Sequence, residues 1–292
     1  MVQQLILNGL IAGSIYALIA LGFALIYGTT RFFHFAHGAI YTAGAYFAYT
    51  FTVKCNLPLF FSVILAILLA SLLGILIEIG IYRPLRTKKA TSLVLLLASL
   101  GIFIVIQNII SLIFGDDTKT LRSGVIQEGI NVFEARITPI QILIILVSLV
   151  LFIITALILT KTRMGKAVRA VANDPELAQI AGIDTDRVIL YTFAIGSGLA
   201  AVAAILISFD IDMVPTMGFN ALMMGVVAVI IGGMGSIPGA ALGGLLLGLA
   251  QHLGVWQISS KWQDAIAFVI LLFFLAFRPQ GFFGRKVRKV EI

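Results

Sequence analysis

Ionisable side chains that could do chemistry are scarce in the long apolar stretches of this sequence. Glu78 is the only acid well inside a clear apolar run, and Arg83 and Arg86 follow it closely. This spacing favours an ion pair at a helix end over a substrate or proton site. His34 and His37 are three residues apart and would share a helix face, but two imidazoles without a third ligand are a weak metal signal. The sequence therefore predicts neither a catalytic centre nor a metal site.

Uncharged polar residues are more informative about what the apolar stretches enclose. Each must find a partner away from lipid, either on a neighbouring helix or along a solute pathway. For the two histidines both interpretations stay open, a packed turn of broken helix or the lining of a pathway. A pathway of amides and hydroxyls would suit a neutral or zwitterionic solute. The candidates for its lining are Asn8, Ser14, Tyr16, His34, His37, Gln107, Asn108 and Asn220, with Gln251 as a further amide within a predicted span.

The amino-acid composition is that of an integral membrane protein. Of the 292 residues, 60% are hydrophobic and 11% charged, with a mean hydropathy of +1.10. A bilayer span needs about 20 mostly apolar residues. We predict an all-α polytopic integral membrane protein, a single transmembrane domain over 1–292, with eight or nine spans of which one or two are short, broken or re-entrant. The spans lie near 5–27, 36–53, 58–81, 93–114, 138–160, 188–209, 219–233, 238–254 and 262–278.

The positions of Lys and Arg predict the orientation of these spans. Most of the 20 Lys and Arg residues lie in 82–89, 161–187 and 278–289, which we expect on the cytoplasmic side. The loop 115–137 is then external. Nine spans give an outside N-terminus and a cytoplasmic C-terminus. Anionic lipid at the inner leaflet accounts for the net charge of +7 without a nucleic acid partner.

The stretch RAVANDPELAQIAGID, residues 169–184, reads as a short helix between two spans. Asp174 is a suitable cap, Pro175 suits the first helical position, Glu176 favours the positive helix end, and Gly182 can end the helix. The side chains of one face are Leu177, Ile180 and Ala181. So short a helix needs a surface to dock on. Its acids are unfavourable beside an anionic leaflet, so a protein groove is the preferred partner and the membrane surface the alternative.

Glycine and alanine repeat at four-residue spacing along several predicted helices. Gly9 and Gly13, and Gly244 and Gly248, are examples that keep small side chains on one face. Such faces allow helices to approach closely. The stretch GGMGSIPGAALGG lacks the Gly-Lys-Ser/Thr ending of a phosphate loop, so we do not assign nucleotide binding to it.

Four stretches resemble the permease subunits of branched-chain amino acid ABC importers. They are NGLIAGSIYALIALGFALIYG, FHFAHGAIYTAGAY, RAVANDPELAQIAGID and VVAVIIGGMGSIPGAALGGLLLG, and they follow in order along nearly the whole chain. The resemblance implies a non-enzymatic permease of the bacterial cytoplasmic (inner) membrane that binds no cofactor itself. Its implied partners are a second permease, two ATPase subunits that hold ATP, and an external solute-binding protein.

The same resemblance assigns a role to the short helix in the cytoplasmic loop 161–187. It implies a coupling helix seated in the ATPase, with Asp174, Pro175, Glu176, Leu177, Ile180 and Gly182 as the corresponding residues. Two alternatives stay open: an ABC permease for another neutral solute, such as a different amino acid, a short amide or urea, and a gradient-driven secondary transporter. The second would need a membrane-embedded coupling acid, for which Glu78 is a poor candidate.

Overall fold

The computed structural model describes residues 1–122, 129–132 and 135–284. The first helices are α1 (Val2–Thr30), α2 (Ala36–Tyr49), α3 (Leu59–Ile77), α4 (Arg83–Thr87) and α5 (Ser92–Phe114). They are followed by α6 (Pro139–Lys161), α7 (Arg163–Asn173), α8 (Pro175–Ile180), α9 (Thr185–Asp210), α10 (Met217–Gly232), α11 (Ile237–Gly254) and α12 (Gln263–Phe277). Widened π-helical turns follow α2 (Thr50–Lys54) and α3 (Glu78–Tyr82), and a 3-10 turn (Ser260–Trp262) precedes α12. Two strands, β1 (Ile130–Val132) and β2 (Ala135–Ile137), form an antiparallel hairpin.

These helices confirm the predicted fold class. Within the described residues, seven helical segments are long and apolar enough to cross a membrane, and α10 is a shorter apolar helix. All nine predicted spans coincide with helices. The short ones are α2, with 14 residues, and α10, with 16. The hairpin β1–β2 was not predicted, because the loop 115–137 has no apolar alternation long enough to indicate strands.

The core of the bundle is built on the small-residue faces. Helices α1, α2 and α9 are largely buried, α10 and α11 are buried over about half of their residues, and α3, α5, α6 and α12 leave apolar sides exposed. A Cβ added at Gly248 would lie 2.4 Å from the backbone N of Gly13, and one added at Gly22 would lie 2.6 Å from the carbonyl oxygen of Gly196. The predicted close approach of helices at glycine is therefore confirmed for α1 against α11 and α1 against α9.

Contacts between distant segments show which segments lie together at each end of the bundle. At one end the amide N–H of Arg136 donates to the Gln4 side chain at 2.7 Å, and Arg122 pairs with Asp212 at 3.0 Å. At the other end Arg83 pairs with Asp186 at 2.9 Å. The N-terminus thus shares one end with the described part of 115–137, and 82–89 shares the opposite end with 161–187. The predicted loop acids Glu128 and Glu134 and the tail cations Arg285, Lys286, Arg288 and Lys289 lie outside the described residues.

Which end faces the cytoplasm stays a prediction that cysteine labelling can test. On a Cys55→Ser background, we expect a membrane-impermeant maleimide applied to intact cells to label Asp117→Cys and to leave Lys88→Cys and Asp184→Cys unlabelled. All three positions are exposed loop residues, so labelling after cell lysis provides the control for accessibility. The reverse pattern in intact cells would invert every assignment of side.

Candidate functional site

The short helix α8 forms as predicted, because its caps are local. The Asp174 carboxylate accepts hydrogen bonds from the backbone N–H groups of Glu176 and Leu177, both at 3.0 Å. At the other end Gly182 has φ +82°, a left-handed conformation that glycine adopts without strain. Its N–H donates to the carbonyl of Gln179 at 2.9 Å. The helix therefore has a defined start and stop within the loop.

The apolar face of α8 is free in the isolated chain. Leu177 is 64% exposed and Ile180 is 83% exposed, although both are large hydrophobic residues. Ala178, on the opposite side, is buried against the protein. The remaining coupling candidates Asp174, Pro175, Glu176 and Gly182 are also exposed. The structure thus presents the predicted apolar face outward, in the arrangement that docking into a groove requires.

One side-chain hydrogen bond joins α8 to α9, and further bonds fix the neighbouring ends of α9 and α7. Its Gln179 amide donates to the Thr185 hydroxyl of α9 at 2.8 Å. The Asp184 carboxylate accepts from the Arg187 N–H at 3.1 Å and so caps α9. Arg31, which ends α1 in a left-handed conformation, donates to the carbonyl of Ala172 on α7. A displacement of α8 would therefore be transmitted to α9, a core helix, as well as to α7.

A charged network next to α8 joins the ends of α3, α4 and α9. Glu78 lies in the π-helical turn and its side chain is 0% exposed. Arg86 donates to both Glu78 carboxylate oxygens, at 3.0 and 2.5 Å, and reaches Asp186 at 3.5 Å. The predicted ion pair of Glu78 is confirmed with Arg86, but Arg83 pairs with Asp186 instead. Asp186 was missed by sequence reasoning because its partners are about 100 residues away and no local spacing indicates the contact.

An open cleft of about 860 Å³ separates α8 from the ends of α1 and α4. Its lining includes Thr30, Arg31, Thr87, Gln179 and Asp186. The cleft leaves space between the α8–α9 connection and the ends of two other helices. The short helix is thus held by α7 and α9 and faces open space toward α1 and α4.

The two histidines lie inside the bundle. Both imidazoles are 0% exposed, with ring centroids 5.9 Å apart. The His34 Nδ1 lies 3.1 Å from the Tyr82 hydroxyl and 3.4 Å from the Ser99 hydroxyl, which also accepts from the Ala36 N–H. In the described ranges no group of three His, Cys, Asp or Glu side chains could hold a metal ion. In this conformation both rings are enclosed within the packed bundle, and their role as pathway lining stays a prediction.

The other pathway candidates are divided between the core and the outer faces. Ser14 is buried, while Asn8, Tyr16 and Gln107 are half-buried. Asn108 and Asn220 are exposed on α5 and α10; Asn108 donates to its own helix carbonyl at Ile104, 2.7 Å away, and Asn220 donates to Asp264 at 3.3 Å. Gln251 donates to the carbonyl of Gln263 at 3.1 Å. Asn108 and Asn220 thus lie on outer surfaces of this chain. Which residues line the solute pathway stays a prediction.

Comparison with known proteins agrees with this architecture. Residues 5–275 match the family described as "Branched-chain amino acid transport system / permease component". The chain is 37% identical to the high-affinity branched-chain amino acid transport system permease protein LivH of Escherichia coli K12, over 98% of this chain and 97% of that one. It is 38% identical to the corresponding permease protein BraD of Pseudomonas aeruginosa, over 99% and 97%. A probable branched-chain amino acid transport permease of Methanocaldococcus jannaschii is 26% identical over 99% and 95%. No solved structure matches this chain.

Proposed function

The chain belongs to the family of branched-chain amino acid transport permease components, and from this premise we propose that it is the membrane-spanning subunit of an ATP-driven importer of branched-chain amino acids. The observation that carries the proposal is similarity along almost the whole chain to permeases named for that substrate class. The exposed apolar face of α8 supports an importer that is driven through a docked subunit.

The proposed assembly contains a second related permease, two ATPase subunits and an external solute-binding protein in a bacterial inner membrane. The sequence has no Gly-x-x-x-x-Gly-Lys-Ser/Thr motif, which is consistent with ATP being bound on separate chains. Helix α8 is assigned to the ATPase. The opposite end, where Arg122 and Asp212 pair at 3.0 Å, is assigned to the binding protein.

Transport is proposed to proceed by alternating access. Closure of the ATPases would displace α8, and the bond between Gln179 and Thr185 would carry that movement into α9. The next residue, Asp186, pairs with Arg86, which in turn binds Glu78 at the end of α3. The movement of α9 would therefore also reach α3. The open cleft between α8 and the ends of α1 and α4 leaves room for the displacement.

The solute pathway is proposed to use the uncharged polar candidates rather than an ion site. Asn108 and Asn220 are exposed on α5 and α10, and their amides can bind the ammonium and carboxylate of a zwitterion. The only acid well inside an apolar span, Glu78, is already occupied by Arg86 at the helix end. This arrangement favours a neutral solute driven by ATP over a gradient-driven mechanism.

The energy source of uptake tests the proposal directly. We expect uptake of leucine, isoleucine or valine by cells that contain the complete system to require ATP. It should continue when the proton gradient is collapsed while ATP is held constant, because the proposed driving force is ATP hydrolysis on the partner subunits. Radiolabelled uptake with separate ATP and gradient measurements checks this. Uptake that follows the gradient at constant ATP would support the secondary-transporter alternative.

A further inference from the structure

Helix α6 has an exposed apolar surface that is suited to face lipid. Its large exposed side chains are Leu143, Leu146, Leu149, Val150, Ile153, Ile154 and Leu157. Its polar Ser148 and Thr155 are turned inward and buried. Since apolar residues outside and polar residues inside are what hydrocarbon requires, this face of α6 is suited to contact acyl chains down to its last turn.

Three cations lie where that lipid-facing surface ends. Lys161, Arg163 and Lys166 are all exposed, and within the described part of the chain none of them takes part in a salt bridge. Lys161 follows Leu157 by one helical turn, a rise of about 6 Å. The three charges therefore lie at the depth where phospholipid headgroups follow the acyl chains.

The fold holds these cations in place. Helix α7 turns back against α6, because the Thr162 hydroxyl caps it by accepting from the Gly165 N–H at 3.0 Å. A Cβ at Gly165 would lie 2.3 Å from the carbonyl oxygens of Ile158 and Leu159, so only glycine allows this close approach. The buried side of α7 contains Val168 and Val171, and Arg163 and Lys166 lie on the opposite side.

We propose that Lys161, Arg163 and Lys166 form a binding site for the phosphate of an anionic phospholipid, which fixes α7 at the membrane surface next to α8. The continuity of the cations with the exposed α6 face favours lipid over an acidic protein surface. Of the nearby acids, Asp174 caps α8, Asp184 pairs with Arg187 and Asp186 pairs with Arg83, while Glu176 is exposed on α8. An electropositive surface is thus left facing the bilayer.

Lipid retention by the purified complex tests this site. The assembled transporter, in nanodiscs containing phosphatidylglycerol and phosphatidylcholine, is compared with the variant Lys161→Gln/Arg163→Gln/Lys166→Gln after mild delipidation, with bound lipid counted by mass spectrometry. Three lost cations should weaken phosphatidylglycerol retention by about a hundredfold, since each cation near a surface contributes about one factor of five. The matched control, Lys161→Arg/Arg163→Lys/Lys166→Arg, keeps the three charges and should retain the lipid. Retention by the wild type should also fall with rising salt.

The outcomes separate this site from the proposed function. Unchanged phosphatidylglycerol retention in the Gln variant would overturn the lipid site, and it would leave the importer assignment unaffected because the readout does not involve transport. Loss of the ATPase subunits from the Gln variant with lipid retention intact would also overturn it and would assign the cations to the ATPase. Equal loss in the Gln variant and in the charge-conserving control would show that packing of α7, rather than charge, was disturbed, and would contradict the proposal.

Discussion

Leu177→Asp is expected to detach the ATPase subunits from the permease while the permease reaches the membrane in normal amount. Leu177 is 64% exposed on the outward face of α8, so the substitution leaves the packing of the bundle intact. In a docked complex the same side chain would be buried, which is worth about 1.5–3 kcal/mol for a Leu or Ile. A carboxylate in that groove would in addition be buried without a partner. Ile180→Asp should have the same effect, because Ile180 is still more exposed.

Affinity purification of the permease with immunoblotting for the ATPase measures this effect. We expect the Leu177→Asp protein to recover no ATPase and to support no solute-stimulated ATP hydrolysis. Leu177→Met keeps the apolar volume and should recover the ATPase nearly as well as the wild type. Pro175→Ala should be milder than Leu177→Asp because it alters only a helix end. Retention of the ATPase and of wild-type transport by Leu177→Asp would mean that α8 is a membrane-surface element and not the coupling helix.

Local signals made α8 predictable from sequence. The helix start depends on the Asp174 side chain and its stop on the φ of Gly182, and both effects act within three residues. The long spans were predictable for a similar reason, since their apolar length alone requires them to cross a bilayer. The spacing of Leu177 and Ile180 also predicted that the two side chains share one face of the short helix, and the structure presents that face outward.

Long-range partners could not be predicted in the same way. Glycine repeats indicated closely packed faces, but nothing in the sequence states that Gly13 meets Gly248 rather than another small residue. The pairing of Arg83 with Asp186 likewise joins segments that only the folded bundle brings together. Phe282 and Phe283 donate backbone hydrogen bonds to the carbonyls of Ile231 and Gly232 at 2.9 Å, which returns the chain after α12 to the end of α10. No local pattern indicates that return. Tertiary packing decides which distant segments make such contacts, and only the structure shows that packing.

The charged network next to α8 contains three ion pairs, of which Arg86–Glu78 and Arg83–Asp186 differ sharply in burial, and this difference predicts the second large effect. Arg86→Ala should destabilise the permease strongly, because it leaves the fully buried Glu78 carboxylate without either of its hydrogen bonds. Breaking a buried pair from one side costs about 3–5 kcal/mol. Arg83→Ala removes a pair whose members are 46% and 36% exposed, for which about 0–1 kcal/mol is expected. The two substitutions remove the same kind of charge three residues apart, so each is the control for the other.

Thermal unfolding of the purified permease in detergent compares these variants. Arg86→Ala should lower the Tm by on the order of 10 °C and reduce the amount in the membrane, and Arg83→Ala should change the Tm by only about 2 °C. A double variant, Glu78→Leu/Arg86→Leu, replaces the pair with apolar side chains and should recover much of the lost stability, because no unpaired charge remains buried. Recovery of stability without recovery of solute-stimulated ATP hydrolysis would separate the two roles of Arg86: holding Glu78 in the fold, and linking α3 to Asp186 at the start of α9. Equal losses of stability in Arg83→Ala and Arg86→Ala would contradict the argument, since burial of the carboxylate would then not decide the cost.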